Sequence, residues 1–299
     1  MARAAFVMDR FMYHLGLHGR SFIPLMIGFG CNVPAIMATR SLDNEKDRMI
    51  TMLVSPLISC SARLPVYVLM AGALYGAAHA GTAVFAIYAL GIVLAVIMAL
   101  LFRRTLFRGE TSPFVLELPS YAAPEWKTAL LHMWSRGKMF LRKAGTIIFG
   151  AAILIWFLSV HPWQATAGGQ QIADSYISWI GHAIEPIFRP FGWDYMAAVA
   201  LPFGLIAKEV VVGTYGILLG SEEANLGEAL VSQGLFTPLT GFAFMAFVLV
   251  YVPCVAVIGA IAKETNSLRW PAFALIYQTA LAFIVAGVII AVGRLVGLS

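Results

Sequence analysis

The sequence predicts an all-α integral membrane protein, a polytopic helical bundle with broken or re-entrant helices. Of its 299 residues, 60% are hydrophobic and 12% are charged, whereas soluble domains carry about 25% charged residues. Several apolar stretches approach or exceed the roughly 20 residues that cross a hydrocarbon core. Proline and glycine interrupt them, and broken backbone is tolerated at that depth only where protein or a wet cavity covers it.

The first third of the chain divides into two predicted regions. Residues 1–20 place apolar side chains at helical spacing between charged ones, which predicts an interfacial amphipathic helix. Residues 21–102 are predicted to be a membrane region that starts with a discontinuous or re-entrant segment over 21–38. Two spans, 50–76 and 80–102, are then expected to form a tight hairpin.

The turn of that hairpin is predicted at Ala77–His79, since this short link lies between the two apolar runs. A connection over 103–138 follows, rich in arginine and lysine, which predicts a cytoplasmic location. Within it, Glu125–Arg136 is predicted to be an interfacial helix.

A second membrane region is predicted over 139–295. Its expected segments are 144–160, a run over 195–219 that is broken near Gly204, and the last two spans over 238–262 and 271–293.

The charges of this region conflict with a simple topology. If every segment crosses once, Lys263 and Arg269 lie outside while the loop 221–237, which has no lysine or arginine, lies inside. A segment over 203–219 that does not cross would remove the conflict, and the sequence leaves both arrangements open.

Three cysteines carry the candidate chemistry, and each has a proline close by in an apolar segment. An odd number of thiols inside such segments predicts free cysteines rather than a disulfide framework. Proline frees backbone carbonyls, and a soft thiol beside them is a plausible ligand for a borderline transition metal. The proposed metal-path residues are Cys31, Cys60 and Cys254, with Glu209 as the acidic candidate.

The surrounding polar residues and prolines are interpreted as structural or gating. Asn32 and Pro34 belong to a coordination loop or, alternatively, to a kinked helix whose small residues pack tightly. A second group, Ser59, Ser61, Arg63 and Pro65, contains a charge in an apolar span. Arg63 is expected to pair with a buried carboxylate or to hold backbone carbonyls at a helix break.

A third stretch, Gly204–Thr214, contains Lys208 and Glu209, and a fourth, Tyr251–Cys254, contains Pro253. Glu209 is expected either on a cation path or paired with Arg63, and Lys208 is expected to extend toward an interface. A neutralised ion pair between helices is the alternative for the Lys208–Glu209 stretch. Pro253 precedes Cys254, which without the other two cysteines would be read as a packing residue.

Four motif stretches, in this order, resemble the C-terminal membrane half of the bacterial ferrous iron transport protein B (FeoB) family. They are Gly30–Ala35, Ser59–Tyr67, Ala207–Thr214 and Tyr251–Ala256. The resemblance covers essentially the whole chain and implies a gate-type repeat, with 139–295 as the second gate-type region. It implies Fe²⁺ uptake across the bacterial inner membrane, with the three cysteines as pore-lining thiols.

The resemblance also implies partners. Family members normally carry a GTPase domain that is not found in these 299 residues, so no enzymatic activity is expected here. The expected partners are membrane lipid, a GTPase-domain-bearing FeoB chain and small Feo accessory proteins, with a homo-oligomer left open. No stably bound cofactor is expected. No nucleic acid is expected either, because the net charge of +5 is small and clustered near helix ends.

Two other functions stay open at this stage. One is a gate-type permease for a nucleoside or another divalent metal. The other is a structural membrane subunit, or a truncated fragment, that transports nothing.

Overall fold

The computed structural model describes residues 19–107, 176–219 and 225–297, together with single positions or short runs between 8 and 17 and between 125 and 157. Every regular element in these residues is helical, which confirms the all-α class. Three helical stretches are long and apolar enough to cross a membrane: Glu45–Thr105, Pro238–Thr265 and Arg269–Leu295.

Two predictions lie largely outside the described residues, namely the 1–20 helix and the 144–160 span. In the 103–138 connection, the described positions between 126 and 138 are helical, with exposed Trp126 and Trp134.

The first hairpin consists of α1 (Phe22–Gly28) and α2 (Asn32–Ala38), separated by a break at 29–31. Its two ends lie together, because the Arg20 guanidinium donates to the Asp43 carboxylate at 2.7 Å. The hairpin therefore enters the bundle and returns to the same end, in agreement with the predicted re-entrant segment.

The first broken helix runs from α3 (Glu45–Val54) into α4 (Leu64–Thr105), with a break at 55–63. Asn44 caps α3 by accepting from the Lys46 N–H at 3.0 Å. The helix thus starts at Glu45 rather than residue 50, and the predicted continuous 50–76 span is interrupted.

The chain reverses at Gly76, inside α4. Gly76 has φ 67° and ψ 171°, a backbone conformation that is open essentially to glycine alone. Because this one residue absorbs the turn, Ala77–His79 stay helical, and the turn predicted there was wrong by one residue. The arm after Gly76 returns to the level of the break, where a Cβ added at Gly91 would lie 3.0 Å from the carbonyl oxygen of Leu57.

Ion pairs and ring contacts define one end of the bundle, here named the basic end. Arg103 at the end of α4 pairs with Asp47 at 3.6 Å, and Glu264 pairs with Arg40 at 2.6 Å and with Arg48 at 2.9 Å. Phe107 stacks on Trp270 at the same end.

The second hairpin consists of α6 (Tyr195–Phe203) and α7 (Val210–Leu219). It follows α5 (Tyr176–Phe188), and a short α8 (Leu226–Ser232) comes after it. The last helices are α9 (Pro238–Val250), α10 (Val255–Thr265) and α11 (Arg269–Leu295). The pair α9–α10 is the second broken helix, with its break at 251–254.

The second hairpin enters from the end opposite to the basic end. Before α6, Trp193 donates to the Thr240 carbonyl at 3.1 Å, near the start of α9. After α7, Gly227 lies against Ala73, close to the Gly76 reversal. The hairpin therefore does not cross. This removes the charge conflict, because Lys263 and Arg269 then lie at the basic end.

The second broken helix occupies the centre of the bundle. Of its most apolar window, 61% is buried, against 28% for α11 and 33% for the Glu45–Thr105 stretch. A cluster of rings around Phe247 packs it against α5 and α11: Phe188, Trp193, Tyr251 and Phe283.

Candidate functional site

Four helix breaks meet halfway along the bundle: the tips of the two hairpins, at 29–31 and 204–209, and the breaks of the two broken helices, at 55–63 and 251–254. On the first broken helix, α3 has 10 residues and is about 15 Å long, and the arm from Leu64 to Gly76 is about 18 Å, by the rise of an α-helix. On the second, α9 and α10 have 13 and 11 residues. Each break consequently lies near mid-depth between the two ends.

Backbone hydrogen bonds join each hairpin tip to one broken helix. The Ser61 N–H donates to the Gly30 carbonyl at 3.2 Å, and the Ser61 hydroxyl donates to the same oxygen at 2.8 Å. In the other half, the Val255 N–H donates to the Leu205 carbonyl at 3.0 Å. In both halves the donor is the residue directly after a cysteine.

These breaks bring the three cysteines together. All three are free and half-buried. The Cys31 thiol interacts electrostatically with Cys60, Cys254 and Glu209, and Cys254 interacts with Cys60. Residues 31, 60 and 254 come from three different elements, so the assembly of the thiols is a product of the tertiary fold.

Cys31 and Cys254 are N-terminal caps of α2 and α10, and Cys60 precedes a 3-10 turn over Ser61–Arg63. Cysteine binds metals through its thiolate form. Within the described residues, no group of three or more His, Cys, Asp or Glu side chains is close enough to enclose one metal ion. The thiols are therefore separate contact points rather than a closed cage.

The prolines and small polar residues shape the breaks. Pro34 and Pro65 lie in the first turns of α2 and α4, where a missing N–H costs little, and Pro253 directly precedes Cys254. The Ser59 hydroxyl donates to the Tyr67 hydroxyl at 3.2 Å. The Ser59 hydroxyl thus joins the break at 55–63 to α4 beside Cys60.

Asn32 is 4% exposed and reaches carbonyls on two sides. In one amide orientation its nitrogen donates to Ile58 at 3.4 Å. In the flipped orientation, the nitrogen donates to Ser55 at 3.0 Å and to Gly28 at 3.3 Å. Asn32 therefore supplies a donor to carbonyls of the first hairpin and the first broken helix.

Arg63 lies on backbone carbonyls rather than on a carboxylate. Its guanidinium donates to the Pro56 carbonyl through both terminal nitrogens at 3.1 Å, and to the Ile58 carbonyl at 3.2 Å. None of the ion pairs found among the described residues involves it, so the alternative of a pair with Glu209 does not occur there.

Lys208 does not extend to an interface, and this prediction was wrong. The residue is 2% exposed, and its Nζ donates to the Val252 carbonyl at 2.6 Å and lies 3.2 Å from the centre of the Tyr251 ring. The break at 251–254 leaves a carbonyl and a ring face for the ammonium in the interior. Glu209 is half-buried and interacts with Cys31.

Sequence reasoning assigned no role to Tyr251 or to the cluster of Arg40, Arg48 and Glu264. The Tyr251 hydroxyl donates to the Leu201 carbonyl at 3.1 Å, which holds its ring over Lys208. The Glu264 side chain is 3% exposed although two arginines reach it. The cluster joins residues more than 200 positions apart, and no local pattern signals such a contact.

Two family models match the chain. The model described as nucleoside recognition matches residues 1–74 and 141–268. The model described as ferrous iron transport protein B C terminus matches residues 84–136. Together they cover all four motif stretches and most of the α4 arm that follows Gly76, from residue 84 onward.

Curated relatives align over almost the whole chain. The Fe(2+) transporter FeoB of Methanocaldococcus jannaschii is 46% identical over 99% of this chain and 44% of its own length. The Fe(2+) transport protein A/Fe(2+) transporter FeoB fusion protein of Porphyromonas gingivalis is 43% identical over 99% of this chain and 40% of its own length. The Fe(2+) transporter FeoB of Staphylococcus aureus strain MSSA476 is 41% identical over 99% of this chain and 44% of its own length.

The chain thus spans less than half the length of these three relatives. No solved structure matches it.

Proposed function

Since this chain belongs to the FeoB family of Fe(2+) transporters, whose C-terminal and Gate regions it matches, we propose that it forms a membrane path for Fe²⁺. The ion would pass Cys31, Cys60 and Cys254 in succession, with Glu209 beside Cys31. The observation that carries the proposal is that three free thiols from three elements lie at the helix breaks, within electrostatic reach of one another and at the depth where all four breaks meet.

The chemistry of these groups suits a borderline divalent ion. Thiolates favour Fe²⁺ and Zn²⁺ over Mg²⁺ and Ca²⁺, which prefer carboxylates, carbonyls and water. Separate thiols that do not close into a cage would let an ion move from one to the next, since conduction needs binding that is favourable but weak enough to reverse.

The relatives also support a proposal for the cellular setting. We infer that the protein works in the bacterial inner membrane, in contact with lipid, and that GTP hydrolysis resides in a GTPase domain outside these 299 residues. One relative is a fusion with Fe(2+) transport protein A, which supports small Feo accessory proteins as partners. Fe²⁺ is the cargo in this proposal, not a resident cofactor.

The test is anaerobic uptake of ⁵⁵Fe²⁺ by cells that express the full chain, with each cysteine replaced by serine. We expect each Cys→Ser variant to lose most of the uptake, and the triple variant to lose all of it. Met26→Leu and Met37→Leu are matched controls, because they remove sulfur from exposed positions on the first hairpin. Unchanged uptake in the triple variant would refute the thiol path.

Binding by the purified protein gives a second readout that needs no GTPase. Co²⁺ bound to thiolate gives a sulfur-to-metal charge-transfer absorption, and we expect this band to weaken with each Cys→Ser change. A nucleoside that competes with Fe²⁺ would instead favour a nucleoside permease. If the protein takes up neither metal nor nucleoside, that result would support the alternative that it is a structural subunit.

A further inference from the structure

Two buried basic side chains flank the thiols at the centre of the bundle. Arg63 is 1% exposed and Lys208 is 2% exposed. Lys208 interacts electrostatically with Cys254, Cys60 and Arg63. A cation path would not be expected to place positive groups beside its ligands unless they serve a purpose.

The contacts of Lys208 are those of a bound cation. A carbonyl oxygen, that of Val252, accepts from its Nζ at 2.6 Å. The face of the Tyr251 ring lies 3.2 Å away, the position in which an aromatic ring attracts a cation. The Val252 carbonyl and the Tyr251 ring together form a cation-binding position two residues before Cys254.

Arg63 has the corresponding place in the first broken helix, where its guanidinium holds the carbonyls of Pro56 and Ile58. Carbonyl oxygens exposed at a helix break are the ligands that hard ions such as Mg²⁺ and Ca²⁺ prefer. At both breaks a basic side chain of the protein already occupies those oxygens, which leaves the half-buried thiols of Cys60 and Cys254 as the ligands beside them.

We propose that Lys208 determines the specificity of the path: its tethered ammonium fills the cation position beside Cys254, so that hard cations find neither a carbonyl ligand nor a favourable charge there. An ion that forms bonds to the sulfurs of Cys60 and Cys254 gains enough to pass. The inference rests on the proposed Fe²⁺ path and names the residue that excludes other divalent ions from it.

The test compares Fe²⁺ and Mg²⁺ influx into proteoliposomes that contain the purified full chain, with metal indicators inside. Lys208→Met removes the ammonium and keeps an unbranched apolar chain. We expect the ratio of Fe²⁺ to Mg²⁺ influx to fall at least tenfold, chiefly because Mg²⁺ influx rises. Lys208→Arg keeps a cation and should stay within about threefold of the parent ratio.

Lys263→Met is the matched control, because Lys263 is an exposed lysine at the basic end, and the same chemical change there should leave the ratio unaltered. A Lys208→Met protein that loses both fluxes equally, with an unchanged ratio, would overturn the proposal, because that is the behaviour of a merely structural lysine.

A binding measurement covers the case in which Lys208→Met folds poorly. Calorimetric titration with Mg²⁺ alone is applied to the detergent-solubilised parent and to Lys208→Gln, which keeps a hydrogen-bond donor without a charge. We expect Mg²⁺ binding in Lys208→Gln and none in the parent. No Mg²⁺ binding by a folded Lys208→Gln would overturn the inference.

The two proposals fail in different ways. If the parent takes up Fe²⁺ but the substitutions leave selectivity unchanged, the role of Lys208 is wrong and the Fe²⁺ path stands. If the parent neither takes up nor binds Fe²⁺, the proposed function is wrong, and the role of Lys208 falls with it.

Discussion

Replacing Gly204 by alanine should disturb the contact between the second hairpin and the second broken helix. Gly204 follows α6, and a Cβ there would overlap the Tyr251 hydroxyl and approach Val211 Cγ2 to 2.5 Å. The Tyr251 ring cannot move freely, because its hydroxyl donates to the Leu201 carbonyl at 3.1 Å. Alanine at 204 must therefore displace the ring on which Lys208 rests.

The expected loss of stability can be built from its parts. Overpacking a tight interior site costs about 1–3 kcal/mol, and a lost buried hydrogen bond costs about 1 kcal/mol. Alanine recovers up to about 1 kcal/mol by restricting the unfolded chain. The free energy of unfolding should thus fall by about 2 kcal/mol, a decrease of roughly 4–8 °C in Tm by the scaling for domains of 150–250 residues.

Thermal unfolding of the detergent-solubilised protein at a fixed scan rate measures the effect. Gly213→Ala is the control in the same hairpin, because nothing lies within 4 Å of a Cβ there. That change should stabilise α7 by about 0.5–1 kcal/mol. In a Tyr251→Phe background, where the overlapping hydroxyl is gone, Gly204→Ala should cost about 1 kcal/mol less. A Gly204→Ala protein as stable as the parent would refute the reasoning.

Three other substitutions test the packing at both ends and in the core, each by the same unfolding measurement. Glu264→Gln should lower the free energy of unfolding by about 1–2 kcal/mol, because a carboxylate 3% exposed loses Arg40 and Arg48. Asp43→Asn, in a pair whose carboxylate is 87% exposed, should cost under about 0.5 kcal/mol, and equal costs would contradict the assignment. Thr237→Ala should cost about 1 kcal/mol, because Thr237 and Thr240 form a capping box at the start of α9; no change would mean that the cap is dispensable. Phe247→Ala should cost about 3–5 kcal/mol as a large-to-small change at a ring that Trp193 and Phe283 contact edge-on. Phe85→Ala, 73% exposed, should cost under about 1 kcal/mol, and similar losses at both positions would contradict the placement of the core.

The helix breaks could be predicted from the sequence because their causes are local. Pro34 and Pro253 stand where helices stop or start whatever surrounds them, since a missing N–H and a fixed φ act on the nearest turn. The break near Gly204 and the re-entrant segment over 21–38 were likewise predicted correctly. The free state of the cysteines followed from their odd number and apolar setting.

The contacts of charged side chains could not be predicted in the same way. Lys208 was expected at an interface because a lysine in an apolar run normally reaches water. Its actual partners, the Val252 carbonyl and the Tyr251 ring, lie more than 40 residues away and exist only after two breaks meet. The depth reached by the second hairpin also depends on distant contacts, at Trp193 with Thr240 and at Gly227 with Ala73.

The backbone bonds at the hairpin tips have a mechanical consequence. Two backbone hydrogen bonds, Ser61 to Gly30 and Val255 to Leu205, join each hairpin tip to its own broken helix. Each hairpin and its broken helix therefore form one half of the bundle, and an interface runs between the two halves. Cys31 lies in one half, and Glu209 and Cys254, with which it interacts electrostatically, lie in the other. At the basic end, Glu264 joins the two halves through its ion pairs with Arg40 and Arg48. At the opposite end, the Tyr75 hydroxyl donates to the Pro238 carbonyl at 2.6 Å. Contacts therefore join the halves at both ends, and any widening of the centre must break the contacts at one of them.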